Sequence, residues 1–84
     1  MRTTRVFDVA NRLARATGGR PRVRVRLDGG WRLYLVLPEG LSVDAQLTVL
    51  DLLAGADRFG HDRTDTAQRV WADFDRDHEQ EPTL

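Results

Sequence analysis

The chain has 84 residues, of which 40% are hydrophobic and 31% are charged, and its 13 basic side chains balance 13 carboxylates. This length suits one small domain, and the absence of cysteine excludes a disulfide framework and a thiolate metal site. No apolar run approaches the roughly 20 residues of a membrane-spanning helix, and the N-terminus lacks the apolar stretch of a signal peptide. We therefore expect one cytoplasmic domain over residues 1–77, a flexible acidic tail over 78–84, and no membrane contact.

The net charge of zero conceals two halves of opposite sign. Residues 1–38 carry nine arginines against two carboxylates, whereas residues 39–84 carry four arginines against eleven carboxylates. Such asymmetry is typical of a polyanion-binding end, but it also fits two halves that fold against each other and neutralise their charges. Both interpretations stay open at this point.

The first predicted element is an amphipathic helix from about Thr4 to Ala16. Its apolar residues share one side of a 3.6-residue wheel: Val6, Phe7, Val9, Ala10, Leu13 and Ala14. Asp8 and Arg12 form an i,i+4 ion pair on the polar side. The glycines at 18 and 19 end the helix, and Pro21 prevents its continuation.

Residues 22–28 and 31–37 alternate in polarity and predict a β-hairpin. A register that keeps the apolar residues on one face leaves a three-residue loop, Asp28-Gly29-Gly30, in which Gly30 has the positive φ. The predicted pairs are Leu27–Trp31, Val25–Leu33, Arg26–Arg32, Arg24–Tyr34 and Arg22–Val36. Directly opposed arginines destabilise a sheet by up to about 1 kcal/mol, so an anion is needed on this face.

A second helix is predicted from about Val43 to Ala54, with Ser42 as its N-cap and Asp44 in its first turn. Apolar residues cover more than half of its circumference. A helix of this composition contacts more than one neighbour, so it is either the central core element or an element shared with a second subunit.

The last part of the chain predicts a connection of about ten residues, anchored by Phe59, and a third helix from Thr64 or Asp65 to about Asp77. The predicted buried stripe of this helix is Ala67, Val70, Trp71 and Phe74. No internal repeat is visible. The resulting fold class is α+β, with three helices packed on one face of a two-stranded antiparallel ribbon that becomes four-stranded in a dimer.

Enzyme motifs are nearly absent, since the chain contains no P-loop, no nucleophile elbow and no zinc-protease motif. His61 and its neighbouring aspartates match no metal-ligand spacing. We therefore predict no catalytic residue, no metal and no cofactor. The leading interpretation is a non-enzymatic binding or assembly protein that acts through protein–protein contacts as a homodimer. Its predicted interface residues are Tyr34, Val36, Val49 and Leu52.

The alternative is a small DNA-binding accessory protein that uses the arginine-rich face of the 22–37 hairpin on double-stranded DNA. A two-stranded ribbon can enter a major groove, where arginine neutralises phosphates and reads guanine. The candidate residues are Arg22, Arg24, Arg26 and Arg32, with Arg12 and Arg15 of the first helix extending the patch.

Residues 52–75, "LLAGADRFGHDRTDTAQRVWADFD", carry the segments "ADRFGH" and "VWADFD". This block resembles small uncharacterised proteins of actinobacterial plasmids, phages and integrative elements. The resemblance covers under a third of the chain and implies no activity and no site residue.

Overall fold

Two helices and four strands follow one another in a computed structural model that describes residues 4–76. Their bounds are α1 Thr4–Thr17, β1 Arg22–Val25, β2 Trp31–Leu37, α2 Val43–Leu53, β3 Arg58–Arg63 and β4 Gln68–Phe74. The predicted tail over 78–84 lies outside the described residues.

The four strands form one antiparallel sheet in the order β1-β2-β4-β3. The element order helix–strand–strand occurs twice, although the sequence shows no repeat. β2 and β4, the second strands of the two halves, meet at the centre. Tyr34 and Trp71, each the fourth residue of a seven-residue strand, lie opposite each other there. The order of the four strands is therefore symmetric about this pair.

Both helices contribute to a hydrophobic core on one face of the sheet, here called the inner face. The buried side chains come from α1, α2 and the two central strands: Val6, Leu13, Leu33, Leu35, Val49, Leu53, Val70, Ala72 and Phe74. The opposite face of the sheet, the outer face, carries no helix within residues 4–76.

The first two of the three predicted helices are confirmed, together with the end signals at Gly18 and Ser42. The α1 backbone ends where Gly18 takes φ = 73° and its N–H donates to the carbonyl of Ala14. At the start of α2, the hydroxyl of Ser42 accepts a hydrogen bond from the N–H of Ala45 at 3.1 Å. These ends are set by local chemistry, which explains why the sequence predicts them well.

The first hairpin forms, but its register differs from the predicted one by two residues. The observed pairs are Arg22–Tyr34, Val23–Leu33, Arg24–Arg32 and Val25–Trp31. All five predicted pairs are therefore wrong: Leu27–Trp31, Val25–Leu33, Arg26–Arg32, Arg24–Tyr34 and Arg22–Val36. Because a shift of two residues preserves the alternation of a strand, each side chain of the paired strands still lies on its predicted face.

The shift follows from the position of the turn. Arg26 donates its N–H to the carbonyl of Gly30 at 2.8 Å, so the loop has three residues but comprises 27–29. Gly29 takes the positive φ of 89°, which the sequence assigns to Gly30. The carboxylate of Asp28 accepts the N–H of Gly30 at 2.9 Å and holds this turn. Leu27 is left fully exposed at the tip.

The predicted third helix is wrong, because residues 58–74 form a second hairpin. Val70 and Phe74 point inward as expected, but Ala72 lies between them on the same face, which is the alternation of a strand. The fold is thus two helices against a four-stranded sheet. The third and fourth strands belong to the same chain, so no second subunit is needed to complete the sheet.

Phe74 should be essential for stability if β4 is a central strand. Its side chain is fully buried, so Phe74→Ala should lower the free energy of unfolding by about 3–5 kcal/mol. Phe59→Ala is the matched control, because Phe59 is 46% exposed on β3 and its loss should cost about 1–2 kcal/mol. Urea unfolding of both variants measures the difference. Equal losses would contradict the described packing of β4.

Candidate functional site

The outer face is the first candidate surface, because the alternation of the strands brings half of the sequence-predicted binding residues onto it. Its residues, taken from the four strands, are Arg22, Arg24, Arg32, Tyr34, Val36, Arg58, Gly60, Asp62, Arg69, Trp71 and Asp73. Arginine, tyrosine and tryptophan are the residue types enriched at binding hot spots.

Two aromatic rings occupy the centre of the outer face. Trp71 lies across Gly60 of the neighbouring strand, where an added Cβ would be 2.6 Å from three atoms of the indole. The indole can lie flat on the sheet only because position 60 has no side chain. The guanidinium carbon of Arg32 is 4.8 Å from the Trp71 ring centroid, and that of Arg24 is 5.9 Å from the Tyr34 ring centroid. Both distances are within the range of cation–π contacts.

A cluster of ion pairs borders the aromatic pair. Asp73 is only 2% exposed, and its two oxygens accept hydrogen bonds from Arg32 at 2.7 and 2.9 Å. Arg58 and Arg26 approach the same carboxylate at 3.7 and 3.9 Å. The hydrogen bonds from Arg32 hold the pKa of Asp73 below its usual value and raise the pKa of Arg32 itself. Buried charge is thus matched by three cations.

The cluster continues at Asp75, beyond the end of β4. Arg58 donates to Asp75 at 2.5 and 3.2 Å, and Arg26 donates to it at 3.0 Å. The hydrogen bonds from Arg58 lower the pKa of Asp75. The N–H of Asp75 in turn donates to Asp57 at 2.6 Å. An arginine of the basic half, Arg26, therefore pairs with a carboxylate of the acidic half, Asp75. This is the mutual neutralisation of the two halves that the sequence left open.

Two arginines of the outer face differ from the others. Arg22 and Arg24 are exposed on the edge strand β1, and within residues 4–76 they have no ion pair with a carboxylate. Arg69 has a long contact of 3.5 Å with Asp62, and both of these side chains are largely exposed. Positive charge is consequently available at the β1 edge of the outer face.

The second candidate surface is the apolar side of α2. Three large side chains there remain exposed: Val43 by 70%, Leu47 by 58% and Leu50 by 52%. With Ala54, which is also exposed, they follow one another at spacings of four, three and four residues. Such spacing places all four on one stripe of the helix, here called the α2 stripe. The opposite side of α2 packs into the core.

A pocket of about 220 Å³ adjoins the α2 stripe. It lies between α2, the β2–α2 connection and the inner face of β3 and β4. Leu50 belongs both to the stripe and to the pocket wall, and the polar side chains of Gln46, His61 and Gln68 face the cavity with it. The volume is below the roughly 300 Å³ at which small-molecule pockets begin. It is of a size for one inserted side chain rather than for a substrate.

The predicted interface residues fall into three environments. Tyr34 and the exposed Val36 lie on the outer face, Leu52 is half-buried against the core, and Val49 is only 3% exposed. Val49 is therefore not available to a partner. It was predicted to remain uncovered because the helix is apolar on most sides, and the stripe that does remain uncovered is a different one.

The predicted nucleic-acid residues are also divided. Arg22, Arg24 and Arg32 share the outer face, whereas Arg26 lies at the hairpin end among Asp28, Asp73 and Asp75. The patch is not extended by α1, because this helix packs on the inner face and Arg12 and Arg15 point away from the sheet. Arg12 instead pairs with Asp8 at 3.0 Å, as predicted.

Trp71 and the α2 stripe are the candidates that the sequence does not single out. Trp71 fits a helical stripe as well as a strand, and it was placed in the core. The exposure of Trp71 follows only if residues 69–73 alternate as in a strand. Arg69, Trp71 and Asp73 then lie on one face, and Val70 and Ala72 lie on the other. The α2 stripe is recognisable from its heptad-like spacing once the opposite side of the helix is known to be buried.

Residues 4–76 contain no group of three or more histidine and carboxylate side chains arranged to hold a metal ion. His61 contacts the side-chain oxygen of Gln68 at 3.0 Å. In the same range, neither helix has the length and hydrophobicity required to cross a bilayer.

Removing the buried charge should reveal its contribution. Asp73→Asn should lower the free energy of unfolding by about 2 kcal/mol, since charge-assisted hydrogen bonds are lost. Asp62→Asn, which affects an exposed pair, should cost at most about 0.5 kcal/mol. Urea unfolding near pH 7 gives both values, and equal effects would contradict the special position of Asp73.

The same pair of variants has a pH signature. Because the folded pKa of Asp73 is depressed, its stabilisation is present above the unfolded pKa of about 3.9 and is lost as pH falls through the lower folded value. The stability gap between wild type and Asp73→Asn should therefore narrow below about pH 4. A gap that widens in acid would show that Asp73 is not stabilised as a carboxylate.

Comparison with known proteins gives no relative from which a function could be inferred. No protein-family model matches the chain, and neither a curated protein nor a solved structure matches it significantly. The resemblance of residues 52–75 to proteins of actinobacterial mobile elements stays a prediction.

Proposed function

We propose that this protein is a small, non-enzymatic assembly module that acts through protein–protein contacts and whose working form is a homodimer joined by α2. The single observation that carries the proposal is the exposure of Val43, Leu47 and Leu50 on one stripe of a helix whose other side is already in the core. A continuous apolar stripe of this kind on a small domain is typical of a protein interface.

The α2 stripe is self-complementary. Its spacing of four, three and four residues is the same in both chain directions, so two copies can meet antiparallel with all four positions matched. Leu47 then lies against Leu50 of the second copy, and Val43 lies against the small Ala54. An interface in which one patch meets itself about a twofold axis closes after two subunits, which is the commonest form of assembly.

The size of the stripe argues for a partner that also covers its surroundings. A stable interface takes about 800 Å² from each partner, and this chain exposes 6083 Å² in total. One face of an 11-residue helix, about 16 Å long, does not reach that area alone. The pocket rim, which shares Leu50 with the stripe, extends it without a break. A second copy, which is as broad as the first, can cover both.

Carboxylates flank one side of the stripe and give the dimer a distinctive salt dependence. Asp44 and Asp51 are exposed on the same side of α2. In the antiparallel arrangement Asp44 of one copy faces Asp51 of the other, and like charges at a rim repel. Salt screens this repulsion over about 8–10 Å. Dimerisation should therefore strengthen with ionic strength, whereas binding to a basic foreign helix would weaken.

Sedimentation equilibrium tests the dimer directly. The wild type should approach twice its monomer mass of 9.6 kDa at micromolar concentration. Leu47→Glu should return it to the monomer, because the charge would be buried at the centre of the contact. Asn11→Glu is the matched control, because it adds the same charge on the exposed polar side of α1, away from the carboxylates that flank the α2 stripe, and it should leave the dimer intact.

A gain-of-affinity variant completes the test. Asp51→Arg replaces the rim repulsion by attraction to Asp44 of the second copy, and it should tighten the dimer several-fold at low salt. A wild type that stays monomeric at about 0.5 mM protein would disprove the proposal. A dimer that is insensitive to both Leu47→Glu and Asp51→Arg would also disprove it, because association would then use another surface.

A further inference from the structure

We infer that the outer face binds single-stranded nucleic acid, with bases stacked at Trp71 and Tyr34 and with phosphates held at Arg22 and Arg24. This site is separate from the proposed dimer contact, because α2 packs on the inner side of the sheet. The outer face therefore stays accessible to a ligand in the proposed dimer.

The aromatic surface around Trp71 has a shape that suits base stacking. The indole of Trp71 lies over Gly60. A Cβ added to Gly60 would be 2.6 Å from each of three indole ring atoms, so one face of the indole is turned toward the sheet and the other face is turned away from it. The side chain is partly exposed there. The guanidinium of Arg32 lies over the indole, 4.8 Å from the ring centroid, and two hydrogen bonds to Asp73 fix its orientation, so a base can stack on the guanidinium plane as well as on the part of the indole that it leaves uncovered. Bases stack on both indole rings and guanidinium planes.

Tyr34 supplies a second aromatic ring on the same face. It lies directly opposite Trp71 on the two central strands, so the two side chains are neighbours on one face. The helices cover only the other face of the sheet. The two aromatic residues at these paired positions, with the indole extending over Gly60 of β3, provide two stacking positions for unstacked bases on the outer face.

The charge of the outer face suits a phosphate backbone. The outer face carries five arginines against two carboxylates, and Arg22 and Arg24 have no carboxylate partner within residues 4–76. Both lie on β1 at one edge of the aromatic surface. A nucleic-acid strand that places its bases on the rings brings its phosphates toward such an edge. Phosphate neutralisation by arginine supplies the salt-dependent part of the binding.

The shape of this face favours a single strand over a duplex. The first hairpin is one half of a four-stranded sheet and is backed by helices, so it does not project as a free ribbon that could enter a major groove. Aromatic rings on the face of a sheet stack only with bases that are already unstacked. The arginine pattern of the hairpin suggests duplex DNA as the partner. The experiments below therefore compare the binding of a single strand with the binding of a duplex.

Fluorescence anisotropy with a labelled 15-residue oligothymidylate is the first experiment. Binding should be measurable at about 50 mM salt and should weaken as salt rises, with a logarithmic slope near −1.4 for two phosphate contacts. The double variant Arg22→Ala/Arg24→Ala should bind at least tenfold more weakly. Arg12→Ala/Arg15→Ala removes the same charge from the exposed side of α1 and should bind like the wild type.

Intrinsic fluorescence tests the stacking in a Trp31→Phe background, which leaves Trp71 as the single indole. The oligonucleotide should quench this signal, and Trp71→Ala should lower the affinity at least fivefold, as expected for one lost stacking contact. Gly60→Ala should weaken binding as well, because the added methyl group displaces the indole. Circular dichroism of each variant establishes that the fold is retained.

Three results would overturn the inference. They are no binding to oligothymidylate at about 20 mM salt, equal or tighter binding to a duplex of the same length, and equal losses in the two double-arginine variants. Leu47→Glu separates this site from the proposed dimer. A monomeric variant that still binds oligothymidylate would support the inference even where the dimer proposal fails.

Discussion

The structure depends on one buried carboxylate. Asp73 of the last strand lies beneath Arg32, Arg26 and Arg58, and its burial would be unfavourable without them. Arg26 and Arg32 belong to the basic half of the chain, whereas Asp73 belongs to the acidic half. The charge asymmetry of the sequence is therefore resolved across the β2–β4 contact. The same pairing fixes the guanidinium of Arg32 beside Trp71, so the ion pair that joins the halves also shapes the outer face.

Elements defined by local chemistry could be predicted from the sequence. The two helices have caps, periodic apolar residues and stop signals within a few positions of their ends. The first hairpin was predicted with its faces correct and its register wrong, because the alternation defines the faces while the turn sets the register. The choice between Gly29 and Gly30 for the positive φ decided that register. Adjacent glycines offer no local signal that distinguishes them.

The second hairpin could not be predicted from the same kind of information. Residues 67–74 satisfy a helical and a strand period, and the difference lies in which neighbours they meet. Strand β4 pairs with β2, and Asp73 forms its ion pair with Arg32 of that strand. Both contacts join residues about 40 positions apart. Trp71 was placed in the core for this reason, and the aromatic centre of the outer face was not foreseen.

Gly60 shows how a residue without a side chain can define a surface. It is a strand residue whose vacant position is filled by the indole of Trp71, a side chain from the adjacent strand. The buried residues beneath the sheet do not depend on this arrangement, since they lie on the opposite face. A methyl group at position 60 would displace the indole and change the shape of the outer face, while the packing of the interior would stay the same. In a set of random variants, substitutions at this glycine should therefore give chains that are well folded but altered in the topography of one face.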